Sequence, residues 1–267
     1  MTKIHLETFG QGQPIVLVHG WAMHAGIWRE FAEQLAVNHR VTCVDLPGHG
    51  RSEKIAPFTL ERVSAELVNA IPEQSCCWLG WSLGVTVVLD IAARYPERVS
   101  SLVLLAGNPS FSAAVTGRPS ATQTQWPGMA IRLLDDFADH LQGNCQATLL
   151  RFLSLQVNGL PEQKNLLRAL KTAVFECDAP DQSTLLGGLE VLKRADLRPV
   201  LSGLNIPVSV ILGGLDTLVP AAVGQKMQQL LPSLELNIID RAGHVPFLSH
   251  SRETLAIISR FMDQQCI

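Results

Sequence analysis

The chain has 267 residues, is 47% hydrophobic and 17% charged, and carries a formal net charge of −3. That describes a globular protein with a substantial core, long enough for one α/β domain with a large insertion. The small negative charge excludes a whole-surface attraction to nucleic acid or to an anionic membrane.

The start, Met1 to Glu7, lacks the long apolar core of a signal peptide, so a cytoplasmic protein is expected. Ile4 to Thr8 alternates like an edge strand, and Gly10-Gln11-Gly12 turns it. Ile15 to Val18 is a continuous apolar run, as in a parallel strand covered on both faces, and it ends in His19-Gly20-Trp21. Ile27 to Leu35 has helical spacing. Val41 to Val44 is the next strand and leads into Asp45-Leu46-Pro47-Gly48-His49-Gly50-Arg51-Ser52. Thr59 to Ala70 reads as a helix. Cys76 to Leu79 reads as a strand, Val85 to Arg94 as a helix and Ser101 to Ala106 as a strand. This strand–helix alternation is the pattern of a parallel sheet. From about Asn108 to Val191 buried strand runs give way to helical patterns at Gln146 to Val157, Pro161 to Phe175 and Ser183 to Lys193. The sheet pattern resumes with a strand at Val208 to Leu212, a helix at Ala221 to Leu231, a strand at Leu234 to Ile239 and a last helix at Arg252 to Met262. The expected architecture is therefore α/β, a mostly parallel central sheet flanked by helices. Residues 1–107 and 192–267 form its core, and residues 108–191 form an inserted helical cap.

The longest apolar stretch, Cys76 to Ala93, contains two glycines, Ser82 and Asp90, so it reads as strand plus helix and not as a membrane span. The six cysteines lack C-x-x-C spacing, and reduced thiols are expected. No Cys/His cluster has the spacing of a metal site, and no metal or organic cofactor is expected.

Gly80-Trp81-Ser82-Leu83-Gly84 has the form G-x-S-x-G between a strand and a helix. There a serine hydroxyl is exposed on a sharp turn, with small residues either side to relieve crowding. A serine needs a base to take its proton and an acid to orient that base, and this topology demands the order serine, acid, histidine. Asp216, in Gly213-Gly214-Leu215-Asp216, follows a late strand, where an open α/β sheet places its site. Asp196 and Asp240 lie in less glycine-rich loops, and a plain helix cap is the alternative role for Asp216. His244, in Arg241-Ala242-Gly243-His244, follows the last strand, whereas His250 falls at the start of the last helix. Oxyanion donors are expected at the backbone N–H groups of Leu83 and Trp21. His19 reads as structural, hydrogen-bonded within its loop.

Together His19-Gly20-Trp21, the Asp45-to-Ser52 stretch, the serine elbow, Asp216 and His244 resemble the α/β-hydrolase fold superfamily over essentially the whole chain. That fold hosts many chemistries, so substrate must be argued separately. Lys164, Arg168 and Lys171 share one face of a cap helix and Arg151 lies on the preceding one. Between Asn144 and Thr172 these four cations face only Glu162, a local +3 in a chain of net −3. Such a patch is either a solvated helix face or a dock for an acidic partner.

Four stretches, Leu79 to Gly84, Arg151 to Gln156, Arg168 to Lys171 and Leu186 to Lys193, are similar to the pimeloyl-[acyl-carrier protein] methyl ester esterases, the carboxylesterase family of biotin synthesis. The resemblance implies hydrolysis of a methyl ester held on acyl carrier protein, by a monomer without cofactor. It implies a carrier-binding role for Arg151, Arg168 and Lys164, the last where the family pattern has arginine. Ala147 departs from another arginine of that pattern. It also implies acyl-chain contacts at Trp21, Trp81 and Phe152, each of which would serve equally as packing. Three alternatives stay open on the residues alone: a general short-chain carboxylesterase, a carbon–carbon bond hydrolase acting on ring-cleavage diketones, and a non-catalytic ligand receptor.

Overall fold

The structure is a computed structural model that describes residues 2–112 and 126–265. Residues 113–125, which belong to the expected cap, and Cys266 lie outside the described residues.

The chain runs β1 (Leu6–Phe9), β2 (Gln13–Val18), α1 (Arg29–Leu35), β3 (His39–Val44), α2 (Leu60–Ala70), β4 (Cys76–Trp81), α3 (Leu83–Arg94) and β5 (Val99–Leu105). Four helices follow: α4 (Ile131–Gly143), α5 (Cys145–Gln156), α6 (Gln163–Val174) and α7 (Gln182–Arg194). Then come α8 (Arg198–Ser202), β6 (Val208–Gly213), α9 (Ala222–Leu230), β7 (Glu235–Ile239), α10 (Pro246–Ser249) and α11 (Ser251–Asp263). The strands form one seven-stranded sheet in the order β1-β3-β2-β4-β5-β6-β7. Only β1, at the edge, pairs antiparallel; every other pairing is parallel.

The central strands β2, β4, β5 and β6 are mainly apolar because both faces are covered. Along β4, Cys76 and Trp78 point into the layer built with α2, α3 and α9, while Cys77 and Leu79 point into the layer built with α1 and α11. Cys43, Cys76 and Cys77 are buried free thiols whose pKa burial pushes up. Helix starts follow local chemistry: the side chains of Thr59, Asn144 and Asp181 accept the N–H groups of Arg62, Ala147 and Thr184. The Thr184 N–H, helped by the Ser183 hydroxyl and the Lys54 ammonium, holds the Asp181 carboxyl well below the usual carboxylate range.

Sequence patterning finds every strand and the long core helices. The expected helix at Ile27 begins with a 3-10 turn, Ala25–Trp28, before α1. It does not single out α4, α8 or α10, the last two being only 5 and 4 residues long. Helix α7 runs on to Arg194, three residues past the expected end of the cap. The base of the insertion is tied by Ser112 Oγ to Lys193 O at 3.0 Å and Leu197 N to Pro109 O at 2.7 Å.

Strand β2 connects to β3 on one side and β4 lies on its other side, so strand order reverses between β2 and β4. The crevice beyond the carboxyl ends of those strands is where an open α/β sheet holds its ligand. Among the described residues no helix is long and apolar enough to cross a membrane.

Candidate active site

Ser82 stands between β4 and α3 with φ 56° and ψ −116°, a conformation that L-residues rarely adopt. The surrounding glycines explain how the chain tolerates it. A Cβ at position 80 would lie 2.3 Å from Gly84 O, and one at position 84 would lie 2.3 Å from Val18 O. Only hydrogen fits at either place. Ser82 N–H donates to Leu105 O at 3.1 Å, which ties the elbow to the neighbouring strand.

The three residues expected to form a triad meet. His244 Nε2 lies 2.9 Å from Ser82 Oγ, and His244 Nδ1 lies 2.8 Å from Asp216 Oδ2. A carboxylate only accepts, so Nδ1 carries the proton and Nε2 is left to accept from the serine. All three are buried: Ser82 is 2% exposed, His244 1% and Asp216 7%. Asp216 does not cap α9, whose N-cap is Ala221 without a side-chain bond; its Oδ1 instead accepts Leu218 N–H at 2.8 Å and Val219 N–H at 3.0 Å within its own loop. Those two donors leave Oδ2 aimed at the imidazole. Asp196 is held instead by Arg198, which keeps its carboxyl below the ordinary range. His250 caps α11 and contacts Ser249 Oγ at 2.9 Å.

Trp21 follows β2, and Gly20 before it abuts the elbow: a Cβ at position 20 would come 3.2 Å from Ser82 Cβ. Neither the Trp21 nor the Leu83 backbone N–H bonds to another described residue, which leaves both donors for a ligand oxygen. The Trp21 indole N–H donates to Leu185 O on α7 at 2.9 Å, and its ring meets Phe152 of α5 edge-on at 4.8 Å. Trp81 lies behind the histidine. Its indole N–H donates to His244 O at 2.8 Å, and its ring packs edge-on against Trp28 and Phe247.

Sequence patterning misses the struts between the helical insertion and the triad loops. The end of α5 touches both: Gln156 O accepts His244 N–H at 3.3 Å and Leu155 O accepts Thr217 Oγ–H at 3.4 Å. Leu160 packs so closely on Gly243 that a Cβ there would meet it at 2.9 Å. The one available signal is the Asn158-Gly159 break between two helical patterns, and it does not say which loop the break touches.

Arg151, Lys164 and Arg168 are exposed and Lys171 is half-buried. Among the described residues none of the four forms an ion pair; Arg151 instead sits 5.5 Å from the centre of the Phe137 ring. Among the described residues no group of three or more His, Cys, Asp or Glu side chains is placed to hold a metal ion.

The fold and this geometry define the class. The family model for the alpha/beta hydrolase fold matches residues 13–251. Two solved structures share the architecture: a bromoperoxidase from Bacillus anthracis (TM-score 0.86, 19% identity, 98% of this chain and 96% of that one) and an esterase from Exiguobacterium antarcticum (TM-score 0.84, 20% identity, 98% and 96%). Identities that low speak for the fold alone. Relatives at higher identity narrow it. Pimeloyl-[acyl-carrier protein] methyl ester esterase of Methylococcus capsulatus is 41% identical over 259 residues, 97% of this chain and 98% of the relative. The proteins of the same name from Aliivibrio fischeri (strain MJ11) and Salmonella newport are 35% and 38% identical, covering 98% and 94% of both chains. The chain belongs to the α/β-hydrolases and, within them, to the pimeloyl-[acyl-carrier protein] methyl ester esterase family.

Proposed function

We propose that this chain is a serine carboxylesterase that hydrolyses the methyl ester of a pimeloyl group carried on acyl carrier protein, releasing methanol and the free carboxylate during biotin synthesis. The assembled Ser82–His244–Asp216 chain of hydrogen bonds, in a protein so similar to esterases of that name, carries the reading.

In the reaction, His244 Nε2 takes the Ser82 proton as Oγ attacks the ester carbonyl. The Leu83 and Trp21 N–H groups receive the oxyanion, already in place before charge develops. His244 then returns the proton to the departing methoxide, and methanol leaves an acyl-enzyme. Water attacks next, giving a proton to His244, and collapse restores Ser82 and frees the carboxylate. Asp216 keeps the imidazole in the productive tautomer and stabilises its cation.

The acyl chain runs along the aromatic lining of Trp21, Phe152 and Trp81, in keeping with the edge contact of Trp21 on Phe152. The carrier docks on Arg151, Lys164 and Arg168, which is supported by exposed cations without acidic partners inside the described protein. Residues 108–191 act as the cap over the core of 1–107 and 192–267, and the enzyme works as a cytoplasmic monomer.

A general esterase with an incidental basic cap would use the same triad, and a carbon–carbon bond hydrolase would too. Comparing carrier-linked methyl ester, free methyl ester and a ring-cleavage diketone at several salt concentrations separates the three. Carrier preference that fades with salt is expected; equal, salt-indifferent turnover of free ester rejects the carrier role. A receptor would leave Ser82 unlabelled by a fluorophosphonate at neutral pH.

A further inference from the structure

We propose that Gly188 is a positioning residue for acyl-chain selectivity: its bare backbone seats the Trp21 indole against α7, and so shapes the channel for a medium-length straight acyl chain. This rests on the reading of Trp21 as an acyl contact.

Helix α7 carries two adjacent glycines, Gly187 and Gly188, in its middle. Glycine weakens a helix interior, so a pair of them calls for a reason. The structure supplies one for each. A Cβ at position 187 would come 2.7 Å from Phe58 Cβ. A Cβ at position 188 would come 2.7 Å from Trp21 Cδ1 and 3.0 Å from Trp21 Nε1. The helix backbone therefore lies directly on side chains from two core loops. Phe58 precedes α2 and is no part of the proposed site. Trp21 is, and a methyl at position 188 would also approach Leu83 Cδ2 at 3.7 Å. Trp21 and Leu83 are the two proposed sources of oxyanion donors, so α7 meets the site at Gly188.

The contact falls on the pyrrole edge of the indole, the edge that also bonds the helix. The Trp21 indole N–H donates to Leu185 O, three residues before Gly188, at 2.9 Å. A carbonyl oxygen has two lone pairs, so this bond adds to the one that Leu185 O makes within the helix. A side chain at position 188 would stand in the way of that approach. Seat and bond are thus one contact, and glycine is what permits it. The ring is 1% exposed and meets Phe152 edge-on at 4.8 Å, so it has no free space in which to turn aside. A methyl at position 188 displaces the ring, draws its N–H off Leu185 O and disturbs its fit on Phe152. Trp21 and Phe152 are two walls of the proposed acyl channel. A misfit of about one methylene in an apolar site costs about tenfold or more in discrimination.

The readout is the ratio of kcat/KM on p-nitrophenyl hexanoate to kcat/KM on p-nitrophenyl acetate. A change at the oxyanion donors affects both esters alike and cancels in that ratio. Gly188→Ala is expected to lower the ratio about tenfold, chiefly through KM on the hexanoate. Gly187→Ala crowds the same helix by the same amount, against Phe58, and should keep the parent ratio. Trp21→Ala should lower the ratio too. Adding Gly188→Ala to it should lower the ratio no further, because the ring that the methyl would strike is gone. An unchanged ratio in Trp21→Ala rejects the acyl contact and the proposal with it. A fallen ratio there, with a parent-like ratio in Gly188→Ala, overturns the role of Gly188 alone. So does an equal fall in Gly187→Ala, which would mean that α7 as a whole had moved. Should Gly188→Ala fail to fold, the double variant decides. Recovery of the fold on adding Trp21→Ala supports the close seat, and a double variant that stays unfolded overturns it.

Discussion

Gly84→Ala tests the elbow through a single methyl group. Its Cβ would lie 2.3 Å from Val18 O and 3.0 Å from His19 O, both backbone atoms at the end of β2. The pairing of Val18 with Gly80 holds that backbone in place, so β2 cannot retreat. The methyl would sit more than about 1 Å inside ordinary van der Waals contact, and the start of α3 must back away by that amount. Leu83 N–H, one residue earlier, moves with it. Overpacking of this kind costs about 1–3 kcal/mol of stability. Misplacing an oxyanion donor by about 1 Å costs on the order of a hundredfold in kcat. The control is Gly143, at the end of α4, where a Cβ would meet nothing within 4 Å. Alanine there should add about 0.4–1 kcal/mol of stability and leave kcat alone. The assay pairs steady-state kinetics on a p-nitrophenyl ester with urea unfolding. A Gly84→Ala enzyme that keeps kcat within about threefold of the parent refutes the reasoning, because the donor would then not depend on that backbone fit.

Asp216→Asn should lower kcat by about ten-thousandfold with little change in stability, since an amide oxygen can still serve Leu218 and Val219 while the imidazole loses its tautomer; a loss under about tenfold would contradict the assigned role. Arg168→Glu should slow carrier-linked ester turnover about tenfold or more at low salt and leave free ester untouched; the gap should close as salt rises. An equal loss on both substrates would mean the cap was damaged. Acid should destabilise the fold in a defined window. The folded state holds His19 and His49 unprotonated down to about pH 3, whereas the unfolded chain protonates them below about 6.5, so their contribution is complete above 6.5 and drains as pH falls. Each ring contributes about 1.4 kcal/mol per pH unit, and burial lowers His39 in the same direction. Urea unfolding of wild type and His49→Asn from neutral pH to 5 should show a shallower slope in the variant; identical slopes would contradict the buried-neutral assignment.

The elements that the sequence announces are those whose physics is local. The elbow is legible because a strand, G-x-S-x-G and a helix must be neighbours in the chain. Asp216 and His244 are legible because each follows a late strand, in the chain order that the serine elbow demands. What stays hidden is set by contacts between distant segments. Nothing in Trp81 tells that its indole will hold the His244 carbonyl, nor in Gln156 that its carbonyl will take the His244 N–H. The same holds for the Arg29–Glu176 pair at 2.8 Å, which ties the start of α1 to the turn after α6. Helical spacing identifies an amphipathic face but not the surface it meets. The partner of each such residue is decided by how α5 and α6 lie on the sheet, and that is a tertiary property.

The most direct measurement is the mass of acyl carrier protein loaded with pimeloyl methyl ester, before and after incubation with the enzyme and with Ser82→Ala. The account predicts a carrier lighter by one methylene, about 14 Da, with the thioester intact, and no change with the variant. Loss of the whole acyl group from the carrier, an unchanged mass with wild type, or turnover by Ser82→Ala would contradict it.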